Sequence, residues 1–273
     1  MQPDKRSTLK LLGVSTLALS IPSLVACGSS SSGSTPATTL PPPPKRPVNW
    51  LSGGTDLIQA NFPNDDVFSA NTPCQVDLFP TSIEGPCYFR VDNREDISDN
   101  TDGLPMQICL QIIDRQCRPL SGYTVEIWHC DKRGVYSANT AASADARRFD
   151  TGFCTNGDTP ARSSRWGRGE LTTDSNGRVN FKSCFPGWYP GRTAHIHFRV
   201  KQGSRESLVS QLRFSDALCH EIYTTHDRYS SRGNQDTSIP ADGEFTNNDS
   251  KGFTLSQNSD GSLLAVKQIQ VNL

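Results

Sequence analysis

Two histidines separated by one residue, His195 and His197, are the first candidates for chemistry in this sequence. Side chains alternate between the faces of a β-strand, so both imidazoles would point the same way, with backbones roughly 6.5–7 Å apart. Two imidazoles at that spacing can bind one metal ion. Ile196, Phe198 and Val200 would face the opposite way and anchor the strand in a core. By itself the pair fits a metal site and two solvated histidines equally well.

The neighbouring residues restrict the kind of metal site. A cupin site needs a carboxylate shortly after the second histidine, and residues 199–202 contain none. A zinc enzyme usually adds a third histidine or a carboxylate. The other histidines, at positions 129, 220 and 226, lie in unrelated contexts, although each stays possible as a ligand. A zinc hydrolase that uses His195 and His197 is therefore one alternative.

Short strands separated by turns must position these residues. Alternating or apolar patterns predict strands at 106–114, 123–130, 178–184, 195–202, 208–214 and 263–271. This arrangement predicts an all-β fold, namely a β-sandwich. Segments 137–168 and 215–252 are predicted to be long loops over one end of the sandwich, where functional sites usually lie.

The N-terminus has the pattern of a secretory signal. Lys5 and Arg6 precede an apolar run that ends Leu-Val-Ala-Cys at Cys27, which resembles a bacterial lipoprotein lipobox. Residues 1–26 are therefore predicted to be a lipoprotein-type signal peptide, with Cys27 lipidated as the mature N-terminus. An ordinary cleaved signal with a chance cysteine is the alternative.

The rest of the chain divides into a tether and a domain. Residues 27–47 are rich in Ser, Thr, Gly and Pro and are predicted to be a tether, whereas 48–273 are predicted to form one domain. Nine cysteines fit a compartment where thiols are oxidised. We expect a protein of the cell envelope, held to a membrane by its lipid anchor and facing away from the cytoplasm. The net charge of −1 predicts no nucleic-acid partner.

Several motifs, in order along the chain, resemble those of the intradiol ring-cleavage dioxygenases. The most specific is Tyr-Pro-Gly-Arg-Thr-Ala-His-Ile-His-Phe at 189–198. The others are Glu-Gly-Pro-Cys-Tyr-Phe at 84–89, Trp-His-Cys with Gly-Val-Tyr-Ser at 128–137, Thr-Asp-Ser-Asn-Gly at 173–177 and Ser-Gln-Leu at 210–212. The resemblance implies the β-sandwich of the intradiol dioxygenase core type, with long loops at the metal end. The likeness is greatest to the secreted, cysteine-containing branch.

The resemblance also implies the site. Four ligands to Fe(3+) would be Tyr136, Tyr189, His195 and His197, and Tyr189 would be the ligand that lets go when substrate binds. The matching family arginine, here Arg192, stabilises negative charge on the ring, and Gln211 matches a pocket residue. Phenolate oxygens are hard ligands that suit a ferric ion, and a bound cation can keep a phenol ionised.

These residues predict that a catechol is cleaved by dioxygen to a cis,cis-muconate-type product. The alternative is an inactive envelope lipoprotein with the same sandwich that binds metal or aromatics.

Cys87 stands where the family usually has an aromatic residue. Trp166 and Trp188 could wall the pocket or belong to the core. Because Cys117 follows one predicted strand and Cys130 ends the next, and the secreted relatives resemble this chain at both positions, we expect a Cys117–Cys130 disulfide. The sequence leaves the oligomeric state open.

Lipidation at Cys27 can be tested directly. Cys27→Ser removes the acylation site, and acyl chains supply roughly 0.8 kcal/mol per buried methylene. We therefore expect the variant to move from the membrane pellet to the soluble fraction of fractionated cells, while the parent protein stays in the pellet. A variant that sediments like the parent would contradict the lipobox assignment.

Overall fold

The computed structural model describes residues 49–68, 78–143, 146, 149–245 and 249–272. All of them belong to one compact unit, Pro47–Leu273. The predicted signal peptide 1–26, the lipidation site Cys27 and the tether 27–47 lie outside the described residues. Within the described part of the chain, no helix has the length and apolar character needed to cross a membrane.

In the described part of the chain, eight strands form two four-stranded sheets that pack face to face. The strands are β1 Pro105–Ile113, β2 Thr124–Trp128, β3 Arg168–Thr172, β4 Arg178–Cys184, β5 His195–Gln202, β6 Arg205–Arg213, β7 Thr254–Gln257 and β8 Leu263–Gln270. One sheet has the order β4-β1-β8-β7, and the other has the order β3-β2-β5-β6. All neighbouring strands are antiparallel except β1 and β8. The predicted β-sandwich is confirmed.

Alternation along the strands decides which residues enter the core between the sheets. Ile196, Phe198 and Val200 of β5 are fully buried there, beside Val125 and Ile127 of β2. The histidines of β5 consequently lie on the outer face of the second sheet. Burying an apolar side chain of this size contributes about 1.5–3 kcal/mol, so a shift of β5 by one residue would be strongly disfavoured.

Helices were less predictable than strands. Short helix α1 spans Thr151–Thr155, and α2 spans Asp216–Thr225, where the sequence predicted a loop. The Ser215 hydroxyl caps α2 by accepting a hydrogen bond from the Leu218 amide. Only Cys219, Ile222 and Tyr223 of α2 are buried, and three inward positions in ten residues make a weak periodic signal. Strands β3 and β7 were also absent from the prediction.

The predicted Cys117–Cys130 disulfide is wrong. Cys117 is disulfide-bonded, but the thiol of Cys130 is free and buried, and it donates to the carbonyl of Gly187. Cys117 lies in the turn that enters β2, whereas Cys130 lies beyond the far end of that strand. Five residues of extended chain span about 16 Å, far more than the reach of a disulfide. Cys87 and Cys154 form a disulfide whose two cysteines both lie among the described residues.

Histidine 129, just after β2, makes the fold sensitive to acid. Its Nδ1 donates to the Cys130 carbonyl and its Nε2 accepts from the Ser183 hydroxyl, both at 2.8 Å. Burial of the ring lowers its pKa to about 4. The unfolded chain takes up this proton near pH 6.5, so the unfolded state binds more protons between pH 6.5 and 4. Stability contributed by neutral His129 is present above pH 6.5 and is lost as the pH falls through that window.

His129→Gln should therefore unfold with a weaker dependence on pH. The loss attributable to His129 between pH 6.5 and 4 is about 3 kcal/mol at most, from 1.36 kcal/mol per pKa unit. Urea unfolding of both proteins at several pH values in this range measures the difference in slope. The variant has a lower free energy of unfolding at neutral pH. The comparison therefore uses the change of that free energy with pH, and not the urea midpoints at one pH. Parallel slopes would show that His129 does not titrate as argued.

Candidate active site

The four predicted ligand residues come together on the outer face of the second sheet, at the N-terminal end of β5. The Nε2 atoms of His195 and His197 are 3.1 Å apart, and the Tyr189 hydroxyl lies 3.0 Å from His195 Nε2. The ring of Tyr136 is 5.8 Å from that of Tyr189 and 6.3 Å from that of His197, centroid to centroid. Residues from two loops and one strand thus share one cluster.

Both imidazoles are oriented by neighbours. His195 Nδ1 donates to the carbonyl of Thr193 at 2.7 Å, which leaves the lone pair of Nε2 facing the cluster. The ring of His197 stacks on Trp128, its partner across β2 and β5, with centroids 5.1 Å apart and planes 10° apart. Alternation along β2 places Trp128 on the face opposite Val125 and Ile127, and this stacking is the consequence.

Glycines bring the two tyrosine loops into contact. A Cβ at Gly134 would lie 2.0 Å from the carbonyl oxygen of Trp188, and one at Gly187 would lie 2.3 Å from that of Lys132. Gly134 also has a φ of +79°, which side chains other than glycine rarely adopt. Any other residue at either position would push apart the loops that carry Tyr136 and Tyr189.

The chemistry of these donors fits a metal ion. The Tyr136 hydroxyl is buried and has no hydrogen-bond partner. The Nε2 atoms of the two imidazoles are 3.1 Å apart, and Nδ1 of His197 is also buried without a hydrogen-bond partner. Ligands about 2.1 Å from a metal, and at right angles, are about 3.0 Å apart, close to the separations seen here. The cluster therefore has the spacing and the unsatisfied donors of a metal site.

Burial keeps all four groups neutral by themselves. It raises the pKa of Tyr189 to about 12 and that of Tyr136 well above its usual value. It lowers the pKa of His195 to about 3, and it lowers that of His197 strongly as well. Neutral imidazoles are ready to bind a metal. The phenols must lose protons to do so, which requires a strongly polarising cation.

Arg192 lies beside the cluster and is held from two sides. Its Nε donates to both carboxylate oxygens of Asp242, at 2.9 and 3.1 Å, and its Nη2 donates to Gln211 Oε1 at 2.6 Å. The side chain of Asp242 is 1 % exposed and also accepts from the Thr193 amide. Sequence analysis missed Asp242, because it lies 50 residues from Arg192 in a segment predicted to be a loop.

Gln211 supports the site from behind the pocket. Its side chain is fully buried, and its Nε2 donates to the Ser82 hydroxyl and the Ile83 carbonyl, both at 3.3 Å. Gln211 therefore connects Arg192 to the segment that forms one wall of the pocket. It was predicted as a catalytic pocket residue; its amide oxygen accepts from Arg192, and it is not among the described residues that line the pocket.

A pocket of about 210 Å³ opens onto the cluster. Its lining includes three of the four predicted ligands, together with Ile83, Gly85, Pro86, Cys87, Phe153, Pro190 and Arg192. Drug-sized ligands usually occupy 300–1,000 Å³, so this pocket suits a single-ring compound. The Cys87–Cys154 disulfide joins its two walls. Gly85 has a φ of +78°, which favours glycine, and it lies against His197, since a Cβ there would be in ordinary contact with the imidazole at 3.4 Å.

The remaining candidates belong to the scaffold. Both ring nitrogens of His129 and of His226 have hydrogen-bond partners within the fold, and His220 is exposed on α2. Trp166 packs in a small core cluster, and neither it nor Trp188 is among the described lining of the pocket. Within the described ranges, no three His, Cys, Asp or Glu side chains come together as a metal site.

Comparison with known proteins agrees with the geometry. Residues 83–229, more than half of the chain, match the family described as Dioxygenase. The matched range contains both histidines, both tyrosines and Arg192. The chain belongs to the intradiol ring-cleavage dioxygenase family. Members of this family use non-haem Fe(3+).

Individual relatives of the chain are distant. Catechol 1,2-dioxygenase 1 of Acinetobacter lwoffii is 26% identical over 156 residues, which cover 48% of this chain and 45% of the relative. Catechol 1,2-dioxygenase of Candida albicans is 27% identical over 135 residues, 43% of this chain and 37% of the relative. The chain thus matches less than half of these relatives' length. The solved intradiol ring-cleavage dioxygenase of Tetranychus urticae has a TM-score of 0.60 and 28% identity, covering 72% of this chain and 94% of that one.

The disulfide between the pocket walls should contribute measurably to stability. Its cysteines are 67 residues apart in the sequence. Closing a loop of that length stabilises a fold by about 4 kcal/mol in the chain-entropy account. We expect the double variant Cys87→Ser/Cys154→Ser to lose stability of that order in denaturant unfolding without reductant. As a control, reductant should destabilise the parent more than the double variant. Equal effects of reductant on both proteins would contradict the assignment.

Proposed function

We propose that the protein binds one ferric ion through Tyr136, Tyr189, His195 and His197 and cleaves a catechol between its two hydroxyl-bearing carbons. Dioxygen is the second substrate, and the product is of the cis,cis-muconate type. The observation that carries the proposal is the convergence of these four side chains in one cluster, three of which line a single-ring pocket. Family membership supports the reaction class.

The two tyrosines are placed for different roles. Tyr136 is buried, whereas Tyr189 is partly exposed at the pocket. A catechol that loses its phenolic protons needs an acceptor, and the Tyr189 oxygen is the accessible one. Tyr136, His195 and His197 then hold the site. When bound, ferric iron would draw electron density from the chelated ring, so that the ring itself meets dioxygen.

Arg192 supplies a fixed positive charge at the pocket wall. Asp242 and Gln211 hold its guanidinium by Nε and Nη2, so the group does not need to reorganise when negative charge develops on the substrate. A charge donor fixed in advance lowers the barrier more than one that must first be oriented. This pairing favours an enzyme over a lipoprotein that only binds metal or aromatics.

We also propose that the protein works in the cell envelope, attached through Cys27. The lipobox-like sequence and the tether composition support this location. The disulfide between the pocket walls is in keeping with an oxidising compartment.

The metal and the product test the proposal together. Protein purified without chelators should contain about one iron per chain and show a burgundy colour from tyrosinate-to-iron charge transfer. It should consume dioxygen with catechol and release a muconate, identified by mass spectrometry. His197→Ala should lose iron, colour and activity. Stoichiometric zinc in a colourless protein would favour the hydrolase alternative, and coloured iron protein without oxygen uptake over a broad panel of catechols would favour the binding alternative.

Arg192 should affect turnover more than iron content. Removing one fixed charge donor typically costs on the order of a hundredfold or more in turnover. We therefore expect Arg192→Ala to stay coloured, to bind catechol and to turn over slowly. Asp242→Asn should also stay coloured and should lose part of the rate, because Arg192 keeps its charge but loses its partner carboxylate.

A surface substitution provides the control for both variants. Arg118→Ala removes an arginine whose side chain is 73% exposed in the turn between β1 and β2, and it should leave the rate unchanged. Full activity of Arg192→Ala, together with loss of activity in Tyr189→Phe, would keep the ligand assignment and refute the role of Arg192.

A further inference from the structure

Arg168 of β3 is a fully buried cation close to the predicted metal ligands. Its Nε donates to the Ser137 hydroxyl and its Nη2 to the Ser137 carbonyl, both at 2.8 Å. Its guanidinium lies over the rings of Phe89, Phe149 and Tyr136, with Cζ 4.0, 5.7 and 5.8 Å from their centroids. The remaining nitrogen, Nη1, is buried without a hydrogen-bond partner.

No ion pair among the described residues includes Arg168. The contrast with Arg199 on the same sheet is informative, since Arg199 contacts the carboxylates of Glu84, Glu126 and Glu206. A buried charge without a counter-charge is strongly destabilising. Aromatic faces and one serine offset only part of that cost. The position of Arg168 therefore calls for an anion.

The group beside Arg168 that metal binding would make an anion is Tyr136, whose ring centroid lies 5.8 Å from the guanidinium Cζ. Ser137, which holds Arg168 with its hydroxyl and its carbonyl, is the next residue in the chain. Arg168 is also the partner of Trp128 across β2 and β3, and Trp128 stacks on His197. Trp128 thus stands between Arg168 and His197 on one face of the sheet, and Arg168 is not among the described residues that line the pocket.

We propose that Arg168 is the buried counter-charge of the Tyr136 phenolate in the metal-loaded site. The proposal rests on the proposed function, because metal binding is what makes Tyr136 anionic. Arg168 acts through Tyr136 and does not line the pocket, so it is a positioning residue. It balances the one tyrosinate that stays bound while Tyr189 exchanges its place with substrate.

This role makes opposite predictions for the iron-free and iron-loaded protein. Without iron, Tyr136 is a neutral phenol and the charge of Arg168 is uncompensated, so Arg168→Met should leave stability unchanged or raise it. With iron, Arg168→Met removes the counter-charge of a phenolate. The rise in Tm on iron loading should therefore be smaller in the variant. A purely structural arginine would lower both Tm values equally.

The experiment compares the parent with Arg168→Met and Arg168→Lys, each freed of iron and then loaded with ferric iron alone. We expect Arg168→Met to bind iron at least tenfold more weakly and to gain less Tm on loading. Its charge-transfer band should move to lower energy, because the filled phenolate orbital loses a stabilising charge. Arg168→Lys keeps the charge and should retain most of the band position and of the Tm gain. If the Met variant does not fold, Arg168→Gln is measured by the same criteria.

A matched control separates charge at the site from loss of a buried arginine. Arg178→Met removes another buried arginine, one that pairs with Asp65 and lies over the ring of Phe68, and it should leave the Tm gain and the band unchanged. If the parent binds iron and Arg168→Met has the same band and the same Tm gain, this inference fails and the proposed function stands. If the parent takes up no iron, both fail.

Discussion

Strand β5 carries the core and the site at once, and the rest of the structure depends on that double role. Its inward residues, Ile196, Phe198 and Val200, are fully buried between the sheets. Alternation then leaves no choice about the direction of His195 and His197. The free energy that fixes the strand register is hydrophobic and comes from the opposite face. The site is therefore held in place by contacts that take no part in its chemistry.

Without a bound cation, the cluster of predicted ligands destabilises the fold, because several of its buried polar groups lack partners. Two imidazole nitrogens face each other, a buried phenol has no hydrogen-bond partner, and a guanidinium lies behind the ring without a counter-charge. Natural folds satisfy nearly all buried polar groups, so a concentration of exceptions at one place indicates a function. A cation at the centre would satisfy the donors, and it would create the anion that the buried arginine needs.

Two further constraints define the pocket. Close contact between the loops of Gly134 and Gly187 brings the rings of Tyr136 and Tyr189 to 5.8 Å from each other. The Cys87–Cys154 disulfide ties the opposite walls together. Cys87, which replaces an expected aromatic residue of the family, thus exchanges part of the pocket lining for a covalent link. The pocket wall therefore lacks that aromatic side chain, but a covalent bond fixes its position.

The sequence alone determined the strand that carries the histidines and the outward direction of both imidazoles, and its family resemblance implied the four side chains that the fold brings together. These follow from local alternation and from contiguous motifs, which do not need the tertiary fold to be read. Helix α2 and the partnership of Asp242 with Arg192 could not be predicted in the same way. The first has only three buried positions, and the second joins residues 50 apart. The cysteine pairing shows the limit most clearly. Cys117 and Cys130 lie at opposite ends of β2. Because a strand is extended, residues that are near each other in the sequence are far apart in the fold. Only the tertiary structure, by packing α1 against the segment after residue 83, decided that Cys87 meets Cys154.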